Sequence, residues 1–240
     1  MEDAPHIPAP VVILTALPGP EKMVPMSTSE SASERAYAAI RAGILNGKHK
    51  PDTMLGEAGL AAELGVSRTP VRAALARLQD EGWITVYPKR GALVRGMSEK
   101  ATEDLADARL ILEATSVQRA APEHKLALAA RLEQSINQQK QALTDSDLNR
   151  FIELTIAFHR SFVEVGGNLV MLELNDRLAD RQRFLLFSYG ETLLARCEAL
   201  IAEHEHLIAC LRADDAQGFA EALRSHVGDT YGSDLKQLGL

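Results

Sequence analysis

Apolar residues recur at helical spacing along most of this chain, and only one short stretch breaks the pattern. The first helix is expected from Ser33, with Glu34 in its opening turn, Tyr37, Ile40, Ile44 and Leu45 on one face, and Gly47 as its stop. A loop, Lys48–Thr53, contains Pro51. Glu57–Leu64 predicts a second helix and Ser67–Glu81 a third, with Pro70 in the first turn, where a missing N–H does little harm. Gly82 ends that helix. The β-rich run Trp83–Tyr87, the turn Pro88–Gly91 and the return Ala92–Val94 predict a hairpin. From Ser98 onward six amphipathic helices are expected, at about 99–121, 124–143, 147–165, 168–188, 192–213 and 215–237. Their breaks fall at Pro122, Asp145, Gly166-Gly167, Gly190 and Asp214-Asp215. The fold class is therefore mainly α: a winged helix-turn-helix over residues 33–95, then an all-α antiparallel bundle over 99–240. The Pro- and Ser-rich residues 1–32 are expected to be a disordered extension, with Met23 and Met26 as candidate starts.

The second and third helices, joined by a tight turn at Gly65, have the layout in which the third helix enters a DNA major groove. Ser67 is placed to cap it, and Arg68, Thr69 and Arg72 stand at its N-terminal end, where first-turn residues meet phosphates and base edges. Lys89 and Arg90 form a basic hairpin tip able to reach phosphates or the minor groove. The overall charge of −7 conceals an asymmetry. Residues 27–97 hold ten Lys/Arg against seven Asp/Glu, and residues 98–240 hold fifteen against twenty-three. A basic module on an acidic body keeps the electrostatic footprint local.

The line Gly65-Val-Ser-Arg-Thr-Pro-Val-Arg72, followed by Ala74-Leu, Arg77-Leu, Glu81-Gly82 and Gly91, resembles the GntR family of bacterial transcription regulators. The resemblance implies DNA contacts at Arg41, Arg68, Thr69, Arg72 and Gly91. Arg68 and Arg72 can each make bidentate contacts to guanine or clamp a phosphate. Two positions depart from the family pattern: Ala73 stands where Glu is usual, and Pro51-Asp52 stands where Pro-Gly is usual.

In the second half, His159, His204 and His226 each fall on the apolar face of a different predicted helix. Helix bundles build metal sites from inward side chains of facing helices, and imidazole suits zinc, nickel, copper or iron. His206 is expected to point outward, and His49 and His124 look exposed. The segments Phe151–Arg160, Gly167-Asn168, Glu203-His204 and Leu223–His226 resemble the FCD ligand domain of the FadR branch of GntR regulators. That resemblance implies one divalent metal, zinc first and nickel second, on these three histidines, with an aspartate as further ligand one turn before the first histidine. Here that position is Thr155, which implies a weakened site, or histidines that meet the effector directly. A guanidinium on an apolar face is costly unless paired. Arg109, beside Leu105 and Leu112, is therefore expected to pair with Glu113 or Glu153, or with an anionic effector. Arg181, in line with Leu174, Leu178 and Leu185, is a second candidate of this kind.

The expected protein is a cytoplasmic, homodimeric DNA-binding regulator, a repressor by default, that releases a near-palindromic operator when a small organic acid enters the bundle. Two alternatives stand beside it. One is a helical metallohydrolase with Glu203 or Glu205 as base, which leaves the basic module unexplained and has no HExxH or His-Asp motif. The other is a constitutive DNA binder with a purely structural bundle. Cys197 and Cys210, expected on helix surfaces, provide no disulfide framework, which fits a reducing compartment. The run Pro10–Leu17 is too short to span a bilayer, so no membrane partner is expected.

Overall fold

A computed structural model describes residues 31–232. The extension expected over residues 1–32 lies, as far as residue 30, outside the described residues. Helix α1 (Ala32–Leu45) starts earlier than expected because Ser31, not Ser33, forms the reciprocal capping box with Glu34. Strand β1 (Met54–Leu55) is followed by α2 (Glu57–Leu64), α3 (Arg68–Asp80), β2 (Ile84–Tyr87) and β3 (Gly91–Val94). Gly65 ends α2 in the left-handed conformation (φ 63°) that turns the chain toward α3. Ser67 occupies the N-cap position of α3 in extended backbone, but its side chain makes no capping bond, so the expected cap is positional only.

The three strands form an antiparallel sheet in the order β1-β3-β2, with Ile84 opposite Val94, Tyr87 opposite Gly91 and Met54 opposite Leu93. Strand β1 was not foreseen, because two residues carry no period. Its position explains Gly91, where φ is 114° and a Cβ would lie 2.5 Å from the Leu55 carbonyl oxygen. Asp52, in place of the usual glycine, sits at φ 63° and tolerates a turn that favours Gly. Ile40, Ile44, Val71, Leu75, Leu78, Ile84 and Val94 fill the core of this head. His49 also packs there beneath Gly43, buried rather than exposed as expected.

The body consists of α4 (Glu99–Arg119), α5 (Pro122–Thr144), α6 (Leu148–Glu164), α7 (Leu169–Arg212) and α8 (Ala216–Tyr231). Helix α7 takes up two predicted helices and kinks at their boundary, Gly190 (φ 46°, ψ −114°). The last helix ends at Tyr231 rather than 237, and residues beyond 232 lie outside the described residues. Helix α7 packs on α5, α6, α4 and α8, around a core that includes Leu110, Phe151, Phe158, Phe162, Leu200, Leu207, Phe219 and Leu223. Both cysteines are buried in this core, not on helix surfaces, and burial pushes the Cys197 thiol up to about 11. No helix among the described residues is long and apolar enough to cross a membrane.

Helix α7 also joins head and body. Asp180, Phe184 and Phe187 lie at i, i+4 and i+7, one face of the helix. Asp180 ion-pairs with Arg41 of α1, and Phe184 enters the head core and meets the Trp83 ring edge-on at 5.7 Å. Phe187 lies under Gly47.

Candidate nucleic-acid interface and histidine centre

Ser67, Arg68, Thr69 and Arg72 all lie exposed at the start of α3 because Val71, Ala74, Leu75 and Leu78 commit the opposite face to the core. The hairpin tip carries Lys89 and Arg90, also exposed, with Lys89 at φ 63°. Arg68, Lys89 and Arg90 have no ion-pair partner among the described residues. A cation held ready for phosphate should look like this, because no internal carboxylate must first be displaced. Arg72 differs: its Nε donates to Glu57 Oε2 at 2.7 Å. Arg41 differs more. Its guanidinium is about 30% exposed and is committed to Asp180, with Glu81 3.9 Å away. In this arrangement Arg41 faces the body.

In the body, three helices bring the histidines together: His159 from α6, His204 from α7 and His226 from α8. One ring nitrogen from each lies within 4.8 Å of the others. All three are buried. The opposite ring nitrogens are held by separate acceptors. Nδ1 of His159 meets Glu113 Oε2 at 2.7 Å, Nδ1 of His204 meets Gln139 Oε1 at 2.8 Å, and Nδ1 of His226 meets Glu203 Oε2 at 2.6 Å. An acceptor opposite Nδ1 requires the proton there, which leaves each Nε2 as a bare lone pair. Nε2 of His159 and Nε2 of His226 face one another at 3.0 Å, and Nε2 of His204 is buried without any partner. Two lone pairs in such contact repel unless a cation or proton lies between them. The donor set therefore fits a divalent metal on neutral imidazoles, each steadied by a partner on its far nitrogen. Burial, reinforced by neighbouring positive charge, holds His159 and His204 well below the ordinary histidine range, which keeps them in the neutral, ligating form.

Thr155 lines the same small cavity, and its buried Oγ1 has no hydrogen-bond partner. A hydroxyl stands where the resemblance expects a carboxylate, so the site carries one negative charge fewer. Arg109 is buried as expected and pairs with Glu113 at 3.0 Å, while Nη1 donates to Tyr231 Oη at 2.5 Å. The atom of Arg109 at that 3.0 Å is Nη2, which meets Glu113 Oε1 as an ion pair without hydrogen-bond geometry, while Nε donates to the same oxygen at 3.1 Å. Burial raises the Glu113 carboxyl above its ordinary range, opposed by Arg109. The cavity itself is nearly closed, about 10 Å³, which is at most one water or ion.

Arg181 is not part of this cavity. Its neighbour Gln182, one helical step of roughly 100° away, lines it instead and presents an unpartnered Nε2 there. The Leu174 side of α7 that suggested an inward Arg181 is itself half exposed. Sequence reasoning missed Gln182 and Gln139. The available signal was a polar residue on an apolar stripe: Leu132, Ile136, Gln139, Leu143 in α5 and Leu178, Gln182, Leu185 in α7.

Comparison with known proteins follows these two regions. Residues 32–94 match the family "Bacterial regulatory proteins, gntR family", and residues 104–229 match the FCD domain. The chain is 25% identical over 205 residues to the HTH-type transcriptional repressor RspR of Escherichia coli, covering 84% of this chain and 88% of that protein. It is 26% identical over 217 residues to the gluconate operon transcriptional repressor of Bacillus licheniformis, covering 89% and 88%. Among solved structures, a putative transcriptional regulator GntR from Rhodococcus sp. RHA1 superposes with a TM-score of 0.69 at 19% identity, over 85% of this chain and 97% of that one. E. coli McbR/YncC superposes at 0.63 and 22% identity, over 83% and 95%. At such identities the two superpositions speak for the fold alone.

Proposed function

This chain belongs to the gntR family of bacterial regulatory proteins, with an FCD domain behind its DNA-binding head, and from that premise we propose that a small carboxylate taken into the histidine cavity controls its grip on DNA. The chain is a DNA-binding transcriptional regulator and not an enzyme. We place the DNA-reading head at residues 33–95 and the effector-sensing body at 99–240. Arg68, Thr69 and Arg72 read or clamp the major groove, helped by the Ser67 end of α3, while Lys89, Arg90 and the Gly91 backbone follow phosphates at the wing. Two copies joined through their bodies address a near-palindromic operator. Exposed Leu169, Val170 and Leu174 on α7, together with Ile111 on α4, support such a joint.

His159, His204 and His226 would hold the divalent ion, zinc before nickel. When bound it would supply positive charge and an open position for an effector carboxylate. Gln182 Nε2 and Thr155 Oγ1 are further buried groups without hydrogen-bond partners, beside an Arg109 whose Nη2 meets Glu113 only as an ion pair, and they suit an acid with hydroxyl or carboxyl oxygens. The observation that carries this reading is the convergence of three bare Nε2 lone pairs. The cavity is too small for an acid as it stands, so the effector must bind a more open arrangement better, which is the condition for shifting the DNA-competent population. Repression relieved by the acid is the expected sense.

The test combines metal analysis and native mass spectrometry of purified protein with anisotropy titrations on DNA selected from a random-sequence pool. A dimer with about one divalent ion per subunit is expected. His204→Ala should lose the ion and any response to added dicarboxylic acids, while DNA affinity without acid is kept. Metal-free protein together with a normally responsive His204→Ala variant would overturn the assignment.

A further inference from the structure

A second cavity, about 290 Å³, lies at the joint between head and body, apart from the histidine centre. From the head it is lined by Glu81, Gly82 and Trp83, from the connecting segment by Arg95–Ser98, and from the body by Ala101, Arg181 and Phe184. Its charge is one-sided. Glu81 accepts from the Tyr37 hydroxyl, which lies 2.7 and 2.8 Å from its two oxygens, and from Arg77, so its carboxylate is already engaged. Arg95 and Arg181 have no ion-pair partner among the described residues. Arg119 and Arg224 share that lack, whereas Arg109, Arg160, Arg183 and Arg196 are paired with carboxylates; what sets the exposed Arg95 and Arg181 apart is that both line one cavity. The rest of the lining combines the indole of Trp83, the ring of Phe184 and Met97 with the polar Ser98. Two uncompensated guanidiniums over an aromatic wall, in a cleft near the size of small-molecule sites, select an anion with a flat apolar body.

We propose that this inter-domain cleft is a second ligand site, which takes a small organic anion with an aromatic or other apolar body between Arg95 and Arg181 and against Trp83. The occupant touches both domains, so its affinity depends on their arrangement and it biases that arrangement toward the one described here. The same α7 segment holds Arg41 through Asp180, so occupation keeps that arginine turned toward the body. The site does not depend on the histidine centre or on any metal.

Trp83 is the single tryptophan of the chain, so its fluorescence reports the cleft directly. Full-length protein is titrated with benzoate as probe and with benzamide as its uncharged counterpart. Saturable change with benzoate and none with benzamide is expected. The double variant Arg95→Ala/Arg181→Ala should bind benzoate about tenfold weaker or worse, and His204→Ala should bind it as well as the parent. The proposal falls if benzamide titrates like benzoate, if no saturable change occurs, or if His204→Ala rather than the arginine pair removes it. It also falls if the double variant loses DNA affinity with no anion present, because the arginines would then serve the DNA backbone. Loss of benzoate binding in His204→Ala alone would assign the anion to the histidine cavity, whereas the other outcomes leave that cavity's own test, metal content, untouched.

Discussion

In the head, Arg68, Lys89 and Arg90 stand in solvent without carboxylate partners, whereas in the body Arg109, Glu113, Lys125 and three histidines are buried and almost completely partnered. The head has an apolar core of ordinary composition and keeps its chemistry on one edge, the first turn of α3 and the hairpin tip. The body places its chemistry in the middle of the core, where a missing partner costs far more than at the surface. The difference fits what each region is proposed to meet. A duplex is a large, charged, external surface, reached by cations that stay hydrated until contact. On the function proposed above, the body would enclose a small acid, which requires recognition groups that are buried and held by other groups in the meantime.

The largest expected effect lies in the body. Glu113→Ala removes the partner of both Arg109 and His159, and should cost about 3–5 kcal/mol of stability in urea unfolding. A loss below about 1 kcal/mol would place this pair with exposed ion pairs and erase the contrast with the head. Arg68→Ala should cost about 1–3 kcal/mol in binding to selected DNA and relax base preference, without change in urea midpoint or metal content. Unchanged footprints would remove α3 from the groove.

The pH response should also belong to the body. His159 and His204 are held below the ordinary histidine value by burial, so around pH 6.5 and below the unfolded chain binds more protons than the folded one. Stability of metal-free protein should therefore fall as pH drops from neutral toward 5.5. Glu113, raised by burial, acts in the opposite direction with one proton against two. A urea midpoint that does not move over that range would contradict the neutral, buried pair.

Smaller effects fall at the joint. Asp180→Ala releases Arg41, and a double-mutant cycle with Arg41→Ala should show coupling of at most about 1 kcal/mol, because the pair is part-exposed. Tighter DNA binding by Asp180→Ala, absent when Arg41 is also replaced, would identify Arg41 as a shared residue of both regions. Last, Asp52→Gly should raise stability by less than about 1 kcal/mol, since relief at φ 63° is partly offset by the greater freedom of Gly in the unfolded chain.

The head was legible almost residue by residue. Glu57–Leu64 appeared as expected, and Gly65, Pro70, Gly82 and the Pro88–Gly91 turn punctuate the rest. These signals are local: each depends on the backbone preference of a residue and its immediate neighbours. Strand β1 escaped because it exists only through pairing with β3. In the body the helices and the inward direction of the three histidines followed from 3.6-residue spacing, and the cost of a buried charge implied a carboxylate or an anionic effector for Arg109, with Glu113 and Glu153 as candidates, of which the structure pairs Glu113 with Arg109 and Glu153 with Arg183. The phase of α7 did not: Gln182 rather than Arg181 reaches the cavity, and the kink at Gly190 leaves no reliable count from one half to the other.

By itself the amino-acid order determined which segments are helical, most of their stops, the apolar face of the helices other than α7, and that a basic head precedes an acidic helical body. Tertiary structure alone decided that three Nε2 atoms converge, that Gln139 and Glu203 steady two of those rings, that Arg41 turns toward Asp180, and that a cleft opens beside Trp83. The reason is distance along the chain. Period and turn chemistry act over a few residues, whereas these contacts join groups from 23 to 139 positions apart, whose meeting depends on how whole helices pack.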